Sequence, residues 1–193
     1  PVGSYIREFE IGPEAKGKAV FLHFEGVKSA MYVWVNGHKV GYSENSMSPA
    51  EFNITDYVRQ GSNKLAVEVY RWSDSSYLED QDKFRYSGIF REVYLLLRDP
   101  VHLTDLYTRA LPSDDFKTAT LTAELTANGK TDAAYSLLDP NGKELANGSL
   151  TVDGNATLTL DIDAPMLWSD EAPDLYELYL KVGDEHIRQE IGV

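Results

Sequence analysis

The chain has 193 residues, enough for one large domain or two of roughly 100 residues each. Its 31 acidic against 18 basic residues leave a net charge of −13, with no basic stripe for a nucleic acid and repulsion from an anionic membrane surface. The absence of cysteine excludes disulfide frameworks, thiolate metal sites and cysteine nucleophiles, and fits the cytosol without excluding export.

Tyr, Phe and Trp number 12, 7 and 3, and aromatic and β-branched side chains suit a half-buried pleated surface. The opening Pro1-Val2-Gly3-Ser4-Tyr5 is neither a signal peptide nor a methionine start, so the chain reads as cut from a longer polypeptide. Alternation predicts strands over 4–11, 17–27 and 31–35, and Asn36-Gly37 then signals a hairpin into 38–42. Two more strands are expected over 65–70 and 89–97. The stretch 71–88 between them is polar and aromatic with little periodicity, and a loop of that length is more often functional than idle. With about six strands, the first half lacks partners along one edge, as if its opening strands lay upstream of Pro1.

Asp99-Pro100 breaks the pattern, and the domain boundary is placed there, giving domains over 1–99 and 100–193. Seven short segments follow, starting near Val101, Phe116, Ala133, Glu144, Ala156, Tyr176 and His186. Ala119, Leu121, Ala123 and Leu125 alternate with Thr and Glu, as in a strand packed on one side. Seven strands at this spacing predict an immunoglobulin-like sandwich, with Trp168 and Tyr176 as its core anchors. The fold class is therefore all-β, two sandwiches in tandem. No long amphipathic helix is legible, which excludes a β/α barrel within these residues.

Few residues offer chemistry. Gly41-Tyr42-Ser43-Glu44-Asn45 lacks the last glycine of a nucleophile elbow and reads as a turn. The four histidines, His23, His38, His102 and His186, lie singly with no metal-ligand spacing, and read as packing or surface residues. The Asn-x-Ser/Thr triplets at Asn53, Asn147 and Asn155 are common by chance and carry no assigned glycosylation. The run Glu79-Asp80-Gln81-Asp82 fails as an EF-hand, because Phe84 and Arg85 stand where an oxygen ligand and a glycine are needed. It does lie among Trp72, Tyr77, Phe84 and Tyr86. Carboxylates that accept from hydroxyls, beside rings that cover apolar faces, are what a sugar site requires.

The stretch from Trp72 to Arg91, with Leu78-Glu79-Asp80-Gln81-Asp82 inside it, resembles the signature loop of bacterial β-galactosidases of glycoside hydrolase family 2. Val33-Trp34-Val35-Asn36-Gly37 through Ser43, and Pro49 through Thr55, are similar to the jelly-roll sugar-binding domain of that family. Pro165-Met166-Leu167-Trp168-Ser169 and Pro173-Asp174-Leu175-Tyr176 are similar to its immunoglobulin-like domain. The likeness is collinear over essentially the whole chain, and the β-glucuronidases and β-mannosidases of the family lack the Leu-Glu-Asp-Gln-Asp run. Ser75 and Phe84 depart from it, where glycine and tryptophan are common.

The resemblance implies a non-catalytic N-terminal part of an enzyme that hydrolyses terminal β-galactosides with retention. Its first domain reaches the galactose pocket of a separate β/α barrel, and its chain ends where the linker to that barrel begins. Asp82 matches the aspartate that touches the galactosyl group and helps hold a sodium ion; magnesium is a further cation of the parent enzyme. Asp80 is expected to support the loop without touching substrate. The family's other sugar contact from this domain, an asparagine upstream of Pro1, has no counterpart here. No catalytic residue is assigned, since neither the carboxylate pair nor an Asn-Glu dipeptide is present. The implied partners are the galactoside, the barrel and further copies in a homo-oligomer, with no nucleic acid and no membrane. Two other readings stand beside this one at the level of sequence, an autonomous carbohydrate-binding module and a purely structural pair of domains.

Overall fold

A computed structural model describes residues 1–79, 81–82 and 84–193. The chain divides into two units, Pro1–Pro100 and Val101–Val193, and each is a β-sandwich.

In chain order the first unit has strands β1 (Val2–Ile11), β2 (Ala19–Phe24), β3 (Val27–Lys28), β4 (Ala30–Val35), β5 (His38–Ser43), β6 (Ala50–Asn53), β7 (Gly61–Tyr70), β8 (Gly88–Ile89) and β9 (Val93–Arg98). One helical turn, α1 (Ser75–Leu78), lies between β7 and β8. One antiparallel sheet runs β1-β7-β4-β5, a second runs β6-β2-β9, and β3 pairs with β8. The period of two decides what is buried. Met31, Val33 and Val35 of β4 and Val67 and Val69 of β7 share one core with Val20, Leu22 and Phe24 of β2. Asn36 and Gly37 both have positive φ, 51° and 85°, as a tight hairpin between β4 and β5 requires. At Gly41 a Cβ would stand 2.5 Å from the Phe52 ring, so only glycine lets β5 pass so close to β6.

The strand expected over 89–97 is broken in two. Phe24 pairs with Val93 and Val27 with Ile89, so three residues, 90–92, oppose two, 25–26. One extra residue bulges the returning strand and separates β8 from β9. β6 escaped the sequence reading because its four edge residues hold only Ala50 and Phe52 as an alternating pair. Gly41, Tyr42 and Ser43 lie in β5 rather than in a turn.

Asn63 is a buried polar pin, 2% exposed. Its amide donates to the carbonyls of Arg59 and Gly61, and its oxygen accepts from Arg59 N–H and from the Asn36 side chain, at 2.7–2.9 Å. Asn36 also donates to the Tyr57 carbonyl at 2.8 Å and accepts from Lys64 N–H at 2.9 Å, which ties the hairpin to β7. Asn63→Ala removes the side-chain partner of Arg59 N–H and of the Arg59 and Gly61 carbonyls, and each buried orphan costs about 1–3 kcal/mol. The expected result is a loss of about 2–3 kcal/mol in the first unit, read as a lower denaturant midpoint at unchanged slope.

The second unit contains β10 (Leu103–Pro112), β11 (Thr118–Ala127), β12 (Thr131–Leu138), β13 (Glu144–Val152), β14 (Asn155–Asp163), β15 (Tyr176–Val182) and β16 (Glu185–Ile191). The sheets β10-β11-β14 and β13-β12-β15-β16 face each other in an immunoglobulin-like order. Ala119, Leu121, Ala123 and Leu125 are buried with Leu178, Leu180 and Val182. Tyr176 is 2% exposed, and its hydroxyl accepts from Met166 N–H at 2.8 Å. Trp168 is not the core anchor expected of it, being 50% exposed. It sits in the non-strand segment before β15, donates its backbone N–H to the Val193 carbonyl at 2.8 Å, and lays its ring against Gly192. The ring covers backbone rather than entering the sandwich.

Candidate functional site

Residues 71–88 leave β7 and return at β8, and nearly everything of chemical interest lies on or beside them. The loop is fixed at its base by Lys28 and Ser29, which are joined by a cis peptide bond and are both buried. Ser29 N–H donates to the Tyr70 carbonyl at 2.9 Å, and its hydroxyl donates to Ser73 Oγ at 2.9 Å. Ser73 Oγ lies 2.7 Å from Ser75 Oγ, and Ser73 N–H donates to Ser76 Oγ at 3.1 Å. This chain of small hydroxyls starts α1, which ends where Glu79 N–H donates to the Ser75 carbonyl at 2.8 Å. The Glu79 carboxylate turns inward. Oε1 accepts from Ser46 N–H at 2.8 Å and Oε2 lies 3.6 Å from Lys28 Nζ. Lys28 also pairs with Gly88 in the β3–β8 ladder.

Beyond Glu79 the described residues of the loop up to Ser87 are exposed. Asp82 is exposed. Tyr77, Leu78 and Phe84 are each more than 80% exposed, and Tyr86 about half. Tyr86 stacks on Phe90 with centroids 5.5 Å apart, and Phe84 lies 6.2 Å from Tyr86. Met47, Phe84, Tyr86, Phe90 and Arg91 line a cleft of about 510 Å³. Asp80, expected to support the loop, lies outside the described residues.

A second aromatic group flanks the start of the loop, on the outer face of β4, β5 and β7. Tyr32 lies 4.7 Å from Tyr42 and edge-on to Tyr70 at 5.9 Å, with Lys39 Nζ 4.1 Å from its centroid. The Tyr42 hydroxyl donates to Glu44 at 2.7 Å and that of Tyr70 to Glu68 at 3.0 Å. Partial burial, then the bond to Glu44, push the Tyr42 phenol up to about 12. The bond to Glu68 raises that of Tyr70. Both phenols are thus held as neutral donors to carboxylates and offer no base near neutral pH.

Among the described residues, no three His, Cys, Asp or Glu side chains gather in a group able to hold a metal ion. Asp82 offers one carboxylate where a hard cation takes six or more oxygens. The donors described here do not by themselves fit a sodium or magnesium ion. The histidines do not converge either. His23 stacks on Tyr94 at 4.8 Å between Glu25 and Glu51, His102 is buried, and His38 and His186 are exposed.

Sequence reasoning singled out this loop and Asp82, and the structure places Asp82 on the exposed part of the loop. It did not single out Lys28, Ser29 and Ser46, because a lysine at a strand end or a serine between strands carries no signal that it is buried.

Comparison with known proteins places the chain in a family. The family described as glycosyl hydrolases family 2, sugar binding domain, matches residues 1–100, and that described as glycosyl hydrolases family 2 matches residues 101–193. A β-galactosidase of Clostridium acetobutylicum is 46% identical over all of the chain, which covers 22% of that protein. A β-galactosidase of Halalkalibacterium halodurans is 44% identical over 96% of the chain and 19% of its own length. The chain thus spans about a fifth of the length of these curated relatives. In structure, a putative β-galactosidase from Bacteroides fragilis matches all of the chain, over 32% of its own, with a TM-score of 0.87 at 22% identity, a likeness of fold.

Proposed function

The chain belongs to glycoside hydrolase family 2, and from that premise we propose that it is the non-catalytic N-terminal part of a β-galactosidase, whose 71–88 loop completes the galactose pocket of a separate catalytic domain. The observation that carries this reading is the loop itself, tied at its base by Ser29 and in its middle by Glu79 while Asp82 and its aromatic neighbours face outward. A rigid base under an exposed polar and aromatic tip is how a site is pre-organised for a ligand shared with another element. The Asp82 carboxylate accepts from galactose hydroxyls, and the exposed rings cover apolar faces of the sugar. A sodium or magnesium ion at Asp82 would need its remaining oxygens from the catalytic domain.

The reaction needs an acid/base and a nucleophile carboxylate about 5 Å apart on a rigid frame. Both belong to the catalytic domain, so residues 1–193 alone are expected not to hydrolyse a galactoside. The full polypeptide that carries this chain is expected to cleave an aryl β-galactoside with retention. Proton nuclear magnetic resonance of the first-formed galactose reads this as the β-anomer. First-formed α-anomer, or cleavage of aryl β-glucuronides in place of galactosides, overturns the reading.

A further inference from the structure

Resting on the reading of the 71–88 loop given above, we propose that Glu79 is a positioning residue for Asp82, holding the sugar-facing carboxylate in place through a buried ion pair with Lys28 and a hydrogen bond from Ser46 N–H.

The argument starts from where the charges are. The side chains of Lys28 and Glu79 are 6% and 15% exposed, whereas Asp74, Asp82 and Arg85 of the 71–88 loop are exposed. Taking an ammonium and a carboxylate out of water is unfavourable, and hydrophobic residues of similar volume often serve stability as well or better. A hidden pair at this position specifies geometry rather than adding stability. The contacts say which geometry. Lys28 and Ser29 meet the loop at its start through Tyr70 and Ser73, in its middle through Glu79, and at its return through Gly88. Of these three ties only Glu79 lies close to Asp82 in the chain. Three residues span at most about 11 Å, so the point that Glu79 fixes limits where Asp82 can be. The outward-facing Tyr77, Leu78 and Phe84 add no core packing that does the same. With Glu79 released, Asp82 remains present but is no longer held, and a displacement of about 1 Å at a reacting site is enough to cost about a hundredfold in rate.

A double-mutant cycle in the full-length polypeptide separates positioning from general support. Glu79→Ala is expected to lower kcat/KM for an aryl β-galactoside at least tenfold when Asp82 is present, and less than twofold when Asp82 is already alanine. Glu79→Gln keeps an oxygen for Ser46 N–H and is expected to lose less than Glu79→Ala. If Glu79→Ala fails to fold, Glu79→Gln takes its place in the cycle, with its loss again confined to the Asp82 background. Equal losses in both backgrounds, or wild-type kinetics for the Glu79 variant beside a severe loss for Asp82→Ala, overturn the inference and leave the functional reading intact. Wild-type kinetics for Asp82→Ala removes both.

Discussion

Asp82→Ala in the full-length polypeptide is expected to lower kcat/KM for an aryl β-galactoside by about a hundredfold or more, with the melting temperature nearly unchanged. A hydrogen bond to a charged group is worth about 1.5–3 kcal/mol, and about 1.4 kcal/mol is a factor of ten. Two such contacts to sugar hydroxyls therefore reach the hundredfold range. The stability side follows from exposure, since substitutions at open surface positions usually stay within about 0.5 kcal/mol. The checks are steady-state kinetics and calorimetry on the same preparation. Wild-type kinetics at every sodium concentration removes Asp82 from the site and leaves the family membership standing.

The largest expected effect on stability lies in the second unit. Tyr176→Ala takes out a ring that is 2% exposed and strands Met166 N–H. Large-to-small changes at buried aromatics cost about 3–5 kcal/mol. In a unit of about 90 residues each kcal/mol moves the melting temperature by about 4–8 °C, so this unit is expected to melt more than 10 °C lower. Tyr176→Phe keeps the ring and loses only the acceptor for Met166, at about 1 kcal/mol. Trp168→Ala is expected to cost about 1–2 kcal/mol, because half of its ring is already in water. A larger drop for Trp168→Ala than for Tyr176→Ala, read by thermal unfolding, reverses this ranking.

Trp168 shows where the sequence stops being informative. Tyr176 alternates with Leu178 and Leu180, and that local period is enough to put all three in the core. Trp168 belongs to no period, and its place after Pro165-Met166-Leu167, at the entry to an expected strand, suggested burial. Its ring instead lies on Gly192, a contact with a residue 24 positions on that no local pattern encodes. The same holds in the first unit. Asn36-Gly37 announces its hairpin because only a few residues accept positive φ, whereas the bulge at 90–92 depends on how two distant strands count against each other.

The candidate site divides along the same line. Asp82 and the aromatic loop were legible as residue types in an aperiodic stretch, and the resemblance gave them a role. What holds the loop was not legible. Lys28 follows an apolar strand and reads as its solvated end, yet it is 5% exposed and faces Glu79 from fifty-one residues upstream. Glu79 in turn was one acid among 31, and nothing in the run Glu79-Asp80-Gln81-Asp82 says that the first acid turns inward and the last outward. That division is a property of the fold, and it is the ground for proposing different roles for the two residues.

The central claim is that this chain holds one side of a galactose pocket and not a pocket of its own. Equilibrium binding of a non-hydrolysable thiogalactoside tests it most directly, measured on residues 1–193 and on the full polypeptide, with a β-sheet circular dichroism spectrum as the check that the shorter chain is folded. The account predicts saturable binding by the full polypeptide, weakened by Asp82→Ala, and none by residues 1–193 in the same concentration range. Equal affinity in the two, with the Asp82→Ala change weakening both alike, contradicts it and makes the first unit an autonomous carbohydrate-binding module.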